Sequence, residues 1–127
     1  SEFKSILLYK EILIGFYMIV KFPNQPPESD YGNREYKKLL KKCNSRSFQS
    51  KATQMLYRIY EGNGMALYLL GINDDGKVSR IKYPELTETL DCIREISSII
   101  EAEIKKINIY RVDENSYVSS VRIVKQL

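Results

Sequence analysis

Four residues in the middle of the chain, Asn73-Asp74-Asp75-Gly76, combine two carboxylates with a tight turn. They directly follow the apolar run "MALYLLGI", residues 65–72. Clustered carboxylates can bind a metal ion, and the backbone of a turn can approach a phosphate or a base. Asn, Asp and Gly are also the residues that tolerate the positive φ angles of a tight hairpin. The sequence therefore predicts a hairpin here and leaves a ligand at the turn as an open alternative.

The chain has 127 residues and no histidine, which narrows the chemistry available to it. Ser-His and Cys-His nucleophile pairs, histidine metal clusters and imidazole acid–base catalysis are all excluded. The sequence also lacks a GxxxxGK motif followed by Ser or Thr, so no P-loop can hold a nucleoside triphosphate. Any reaction would depend on carboxylates, lysine, tyrosine or a bound metal ion. We expect no cofactor unless such a metal site exists.

The net charge is +4, and its distribution is uneven. No acidic residue occurs between Tyr36 and Tyr60, a stretch that contains Lys37, Lys38, Lys41, Lys42, Arg46, Lys51 and Arg58. Such a block predicts contacts with phosphates, and Tyr36, Tyr57 and Tyr60 could add stacking on bases. The alternatives are a solvated basic face without a partner and tyrosines that pack inside.

The periodicity of apolar residues predicts the elements that would position these side chains. A strand over Glu35–Leu40 precedes a helix with Ser47 as N-cap and Gly62 as its stop. The hairpin strands cover Met65–Ile72 and Lys77–Ile81. A second helix begins near Pro84, its apolar stripe reaches Ile104, and Lys105 and Lys106 complement its carboxyl end. The last two strands cover Ile107–Val112 and Tyr117–Val124.

This order, β-α-β-β-α-β-β, predicts an α+β fold with a four- to five-stranded, mostly antiparallel sheet and two helices packed on one face. We expect a single α+β domain over residues 23–127 after an N-terminal extension, residues 1–22, that is partly tag or upstream sequence. The apolar run of residues 6–20 is too short to span a membrane and could instead form a homodimer. Two cysteines without metal-ligand spacing, Cys43 and Cys92, indicate a reduced, cytoplasmic chain.

Two segments, "PPESDYGNREYK" and "TQMLYRIYEGNGMALYLLGINDDG", together resemble the N-terminal domain of the GTP-binding-protein family of translational GTPases, relatives of elongation factor 1-alpha. The resemblance covers about residues 26 to 125. It implies a module that accompanies a GTPase domain in cis or in trans. Together with the basic block, it favours a non-catalytic module that binds tRNA, rRNA or the ribosome. The GTPase activity itself would lie outside these residues.

A second resemblance, to the AlbA-like module of Schlafen proteins, concerns the acidic turn. It implies a ribonuclease in which Asp30, Glu35 and Asp74 hold Mg²⁺ or Mn²⁺, with Glu28 as a further ligand. Hard oxygen ligands suit these ions, which can activate water without histidine. The alternatives at this point are therefore an RNA-binding module, a metal-dependent ribonuclease, and a protein-interaction or dimerisation domain.

Overall fold

The computed structural model of the chain describes residues 18–42 and 45–127. The strands are β1 (Arg34–Lys37), β2 (Met65–Leu70), β3 (Glu103–Arg111) and β4 (Tyr117–Val124), and the helices are α1 (Ser45–Glu61) and α2 (Tyr83–Ile99). Along the chain they follow the order β1-α1-β2-α2-β3-β4. Neither helix combines the length and the apolarity that a membrane crossing requires.

The four strands form one mixed sheet in the spatial order β1-β2-β4-β3. The edge strand β1 runs parallel to β2, and the other two pairs are antiparallel. A parallel neighbour needs a crossover connection, and α1 supplies it. The predicted α+β class is therefore confirmed.

Both helices cover the same face of the sheet and share one core. Met55 and Ile59 of α1 and Ile93 of α2 are fully buried in that core. They meet the sheet residues of the same cluster: Ala66, Tyr68, Leu70, Ile107, Ile109, Tyr117, Val121 and Ile123. We call this the helix face of the sheet and the opposite side the open face.

A smaller cluster covers one end of the open face. Its buried members are Tyr36, Leu69, Ile72 and Val118. Phe22, from the predicted extension, packs on this cluster and lies 5.4 Å from the ring of Tyr110. The backbone amide of Val20 donates to the carbonyl of Arg111 (2.9 Å), so the described end of the extension is attached to β3. The apolar residues 6–17, proposed for dimerisation, and Cys43 lie outside the described residues, whereas Cys92 is buried in the core.

The predicted return strand over Lys77–Ile81 is wrong. This segment makes only isolated bridges, Ile72 with Val78 and Ile81 with Tyr117, because the chain turns sharply instead of remaining extended. Arg80 has a φ of 62°, a left-handed conformation that no regular strand contains. β1 is also shorter than predicted, since residues 38–42 leave the sheet and run toward α2.

The second helix ends earlier than its apolar stripe suggested. It stops at Ile99, and Glu101 has a φ of 55° that reverses the chain into β3. Ile104, Lys105 and Lys106 are therefore strand residues and do not complement a helix terminus. The first helix begins at Ser45, before the proposed N-cap Ser47. Apolar residues at both ends of a tight reversal continued the helical spacing by coincidence.

Candidate functional site

A buried ion pair lies at the centre of the residues that carry the sequence motifs. Glu35 on β1 and Arg58 on α1 have relative exposures of 1% and 4%, and Arg58 Nε lies 2.8 Å from Glu35 Oε1. Lys37 Nζ lies 3.1 Å from the second oxygen, Glu35 Oε2. Burial, with the Glu35 charge nearby, raises the pKa of Tyr68, which is the β2 partner of Glu35. Glu35 is thus neutralised by two cations within the fold.

The remaining donors of Arg58 hold the loop before β1. Nη1 donates to the carbonyls of Tyr31 (3.0 Å) and Gly32 (2.9 Å), and Nη2 donates to the carbonyl of Ser29 (2.7 Å). A planar guanidinium with five N–H donors suits such a cluster of acceptors better than lysine does. We call residues 24–33 the proline loop. Arg58 therefore stabilises the backbone of the proline loop, and its buried guanidinium does not present hydrogen-bond donors at the surface.

The acidic turn binds the other end of the proline loop. The amide of Gln25 donates to the carbonyl of Gly76 (2.9 Å), and that of Glu28 donates to the carbonyl of Asp74 (2.8 Å). Gly76 has a φ of 89°, and a Cβ on it would lie 2.0 Å from the Gln25 carbonyl oxygen. The turn therefore requires glycine for its conformation and for the close approach of the loop. The turn holds a neighbouring segment of its own chain.

Glu28 occupies the free edge of β1. The pairing of β1 with β2 uses the carbonyls of Asn33 and Lys37, so the amide of Tyr36 points away from the sheet. Glu28 Oε2 accepts that amide, which blocks the edge against a further strand. Burial raises the pKa of Glu28, the amide hydrogen bond opposes this, and the charges of Glu35 and Asp74 raise it further.

The three proposed metal ligands take different parts in this arrangement. Glu35 is paired with Arg58 and Lys37, Asp30 contributes its backbone carbonyl to the hydroxyl of Tyr57 (3.1 Å), and the side chain of Asp74 is exposed. Within residues 18–42 and 45–127, no three acidic or cysteine side chains are arranged to hold a metal ion. Of the four acids proposed as ligands, Glu28 and Glu35 use their carboxylates as hydrogen-bond acceptors for the fold. A ribonuclease site at these residues stays a prediction.

The proposed RNA-binding cations divide into two groups. Lys37 and Arg58 are engaged with Glu35, and Lys51 Nζ donates to Ser47 Oγ (2.9 Å). The other four are exposed, and in the part of the chain that the structure describes none of them forms an ion pair. We call this group the basic segment: Lys38, Lys41, Lys42 and Arg46.

The backbone of the basic segment is attached to the first turns of α2. The amide of Leu40 donates to Thr89 Oγ1 (2.9 Å), and the amide of Lys42 donates to Glu88 Oε1 (3.3 Å). Thr89 is fully buried and also donates to the carbonyl of Glu85 (2.8 Å). Sequence reasoning missed this anchor, although a threonine beside Leu86 and Leu90 interrupts the apolar stripe and was a visible signal.

The tyrosines proposed for base stacking, like the cations, divide into a buried residue that serves the fold and exposed ones. Tyr36 is buried, and its hydroxyl donates to the carbonyl of Pro26 (2.8 Å), so it cannot stack on a base. Tyr60 is 62% exposed, and Tyr57 is 41% exposed. Among the aromatic residues that the structure describes, Tyr31 is the most exposed, at 76%; it lies in the proline loop and was not among the predicted residues. It lines a surface pocket of about 210 Å³ together with Pro27, Asn33 and Arg34.

Comparisons with known proteins give three relatives and no matching family model. GTP-binding protein 2 of Mus musculus is 32% identical over 96 residues, and GTP-binding protein 2 of Homo sapiens is 32% identical over 94 residues. These alignments cover 76% and 74% of this chain but only 16% of either relative. Uncharacterized protein R625 of Acanthamoeba polyphaga mimivirus is 29% identical over 103 residues, which are 80% of this chain and 55% of that protein.

The similarity to GTP-binding protein 2 extends over about three quarters of this chain. It supports a relation to GTP-binding proteins, as the motif resemblance implied. This chain spans about one sixth of those relatives, so their remaining parts have no counterpart in its 127 residues. The Schlafen resemblance stays a prediction.

Proposed function

We propose that this chain is a non-catalytic module of a GTPase-related translation protein and that it binds the phosphate backbone of tRNA or rRNA. The basic segment is the contact surface. One observation carries the proposal: four consecutive cations of the segment, Lys38, Lys41, Lys42 and Arg46, are exposed and form no ion pair with described residues. The similarity to proteins named GTP-binding protein 2 supports the translational setting.

The contrast within the basic block supports this choice. Where a cation of the block serves the fold, an acid or a hydroxyl lies within hydrogen-bond distance, as Glu35 does for Arg58 and Ser47 does for Lys51. The basic segment has fixed backbone amides at Leu40 and Lys42 and side chains that project into water. A fixed backbone lowers the entropy lost when the cations bind a polyanion.

Fluorescence anisotropy with labelled tRNA and an rRNA helix tests the proposal. Each neutralised phosphate of duplex RNA contributes about −0.9 to the slope of log K against log salt, so four contacts predict a slope of about −3.6. Affinity should then fall by about 150-fold between about 50 and about 200 mM salt. The variant Lys41→Glu/Lys42→Glu should lose at least about half of that slope.

The matched control is Lys21→Glu/Lys77→Glu, which has the same net charge as Lys41→Glu/Lys42→Glu but changes two exposed lysines outside the basic segment. It should retain most of the wild-type affinity, because the contact is local. Equal weakening by both double variants would show that only net charge matters. Absence of binding by the wild-type chain at low salt would refute the proposal.

A second candidate function is contact with a GTPase domain, in cis or in trans. Three exposed tyrosines in the proline loop and on the last turns of α1 favour it, because tyrosine is enriched at protein interfaces: Tyr31, Tyr57 and Tyr60. An NMR titration of this chain with GTP-binding protein 2 of Mus musculus tests it. Shifts confined to the proline loop and the end of α1, and lost in Tyr31→Ser/Tyr60→Ser, would support the contact.

The ribonuclease alternative is tested by incubation of the chain with RNA and Mn²⁺ beside Asp74→Asn. Cleavage by the wild type and loss of cleavage in the variant would establish it. Equal products from both proteins would identify a contaminating nuclease. The proposed module predicts no difference between the two.

A further inference from the structure

Three cations from distant parts of the sequence lie in one row on the open face of the sheet. The register places Arg34 of β1 beside Leu67 of β2, Leu67 beside Arg122 of β4, and Arg122 beside Lys106 of β3. Residues directly opposite each other on paired strands project from the same face. With strands about 4.8 Å apart, the row is about 14 Å long. All three cationic side chains are exposed.

A β-bulge creates this row. The register shifts between Ile104, which faces Ile123 in the core, and Lys106, which faces Arg122. If Lys105 were paired without a bulge, strict alternation from Ile104 would direct Lys106 toward the helix face and Ile107 away from it. The bulge therefore exposes Lys105 and Lys106 together and returns Ile107 to the core, where it is 2% exposed.

The row forms no ion pair in the described part of the chain. Arg122 and Lys106 are direct cross-strand partners, and like charges in that position destabilise a sheet. The nearest acid of β3, Glu103, is paired with Lys105 at 3.3 Å. None of Arg34, Lys106 and Arg122 forms an ion pair with a described residue. A bound anion would remove this repulsion.

One end of the row lies beside the pocket that Tyr31 lines. Arg34 is the last cation of the row and also lines the pocket of about 210 Å³ beside Tyr31, a residue that is 76% exposed. Beyond the row on the same face, Asn108 Nδ2 donates to Ser120 Oγ (3.3 Å), which leaves polar atoms near the cations. Spaced cations with an exposed aromatic ring at one end match an extended strand with phosphates and an unpaired base.

The geometry points to a second nucleic-acid surface that takes single-stranded RNA. Phosphates lie along Lys106, Arg122 and Arg34, and one unstacked base enters the pocket against Tyr31. This inference rests on the proposed function only for the choice of RNA as the polyanion, because the surface is separate from the basic segment. A duplex cannot present an unpaired base to the pocket, so the surface prefers single strands.

The sharpest test is Lys106→Glu, because it changes stability and RNA affinity in opposite directions. The new carboxylate faces Arg122 and replaces a repulsive cross-strand pair with an attractive one, so the urea midpoint rises. The same change removes one phosphate contact and weakens binding of a labelled single-stranded 10-nucleotide RNA. A variant that is more stable and binds less cannot be explained by misfolding.

The double variant Lys106→Glu/Arg122→Glu should lower the salt slope for single-stranded RNA by about 1.4, at about 0.7 per contact. The affinity ratio between about 50 and about 200 mM salt then falls about seven-fold. Tyr31→Ser should weaken single-stranded RNA several-fold and leave a duplex of equal length unaffected. Lys21→Glu/Lys77→Glu again provides the control for net charge.

The two proposals fail separately. A wild-type slope for Lys106→Glu/Arg122→Glu, together with a loss in Lys41→Glu/Lys42→Glu, overturns the second surface and leaves the proposed function standing. The reverse pattern would overturn the proposal that the basic segment binds RNA and would leave the proposal for the row of Arg34, Lys106 and Arg122 standing. Equal affinity for single-stranded and duplex RNA, unchanged by Tyr31→Ser, refutes the base pocket.

Discussion

Replacement of Arg58 separates a structural role from an RNA contact. In the folded chain the guanidinium makes one ionic hydrogen bond to Glu35 and three hydrogen bonds to carbonyls of the proline loop. Arg58→Ala leaves Glu35 buried with Lys37 as its remaining cation and leaves the carbonyls without their donor. Removal of one partner from a buried ion pair costs about 3–5 kcal/mol. This is a large share of a typical domain stability of about 5–15 kcal/mol.

Arg58→Lys is the more informative variant. Lysine keeps the positive charge beside Glu35, but a compact ammonium cannot reach the carboxylate and three carbonyls with the geometry of the planar fork. Two lost hydrogen bonds from a charged donor, each worth at least about 1.5 kcal/mol, predict a destabilisation of about 3 kcal/mol. The chain contains no tryptophan, so urea unfolding should be followed by far-UV circular dichroism.

A double-mutant cycle with Glu35→Leu and Arg58→Met isolates the pair. Replacement of both partners by apolar residues removes the unpaired buried charge, so the double variant should be more stable than the sum of the single changes by about 2 kcal/mol. Additivity to within about 0.5 kcal/mol would refute the coupling. RNA affinity of folded Arg58→Lys should match the wild type, because Arg58 is only 4% exposed. If the salt slope of RNA binding by Arg58→Lys fell as much as that of Lys41→Glu/Lys42→Glu, Arg58 would be a direct RNA contact.

Three further outcomes follow from the contacts of the proline loop and the basic segment. Gly76→Ala should destabilise the fold by about 2 kcal/mol more than Gly32→Ala, because both have positive φ but only Gly76 has a backbone atom in the space of the new Cβ. The pKa of Glu28 is higher in the folded state than its ordinary value of 4.5, so protonated Glu28 stabilises the fold below pH 4.5 and this contribution is lost as pH rises through the folded-state pKa. Glu28→Gln does not ionise, so its free energy of unfolding should rise relative to that of the wild type across this pH range, as measured by urea titrations at several pH values. Thr89→Val leaves the amide of Leu40 unsatisfied, which should cost about 1–3 kcal/mol and speed hydrogen exchange at that amide; an unchanged exchange rate would contradict the anchor.

Local patterns were sufficient to predict the elements whose partners lie nearby in sequence. β4 has the predicted bounds, Tyr117–Val124, because β-branched and aromatic residues predominate in it and a polar turn precedes it. The second helix begins near Pro84 as expected, with Glu85 accepting the amide of Lys82 (2.9 Å). Local propensity and capping act over three or four residues, which a sequence displays directly.

Pairing across the chain could not be predicted in the same way. The parallel contact of β1 with β2 joins residues more than 30 positions apart, and no local signal distinguishes it from the predicted hairpin. The bulge at Lys105 is a second example, since it restores Ile107 to the core only once β3 has paired with β4. The row of Arg34, Lys106 and Arg122 depends on both pairings, so sequence reasoning missed it.

The motifs that carry the resemblance to GTP-binding proteins describe a loop and its supports. Arg58, paired with Glu35, binds the backbone of the proline loop near Ser29, and Gly76 allows Gln25 at the beginning of the loop to approach closely. A relative that shares these three residues should therefore share the loop geometry. None of them presents a free charge to solvent, because each is occupied by the fold. In the proposed RNA binding, affinity depends on Arg34 and Tyr31, which are exposed within the motifs, and on exposed residues outside them, such as Lys41 and Arg122. Relatives that retain the motifs but differ at Lys41 and Arg122 should fold alike and differ in RNA affinity.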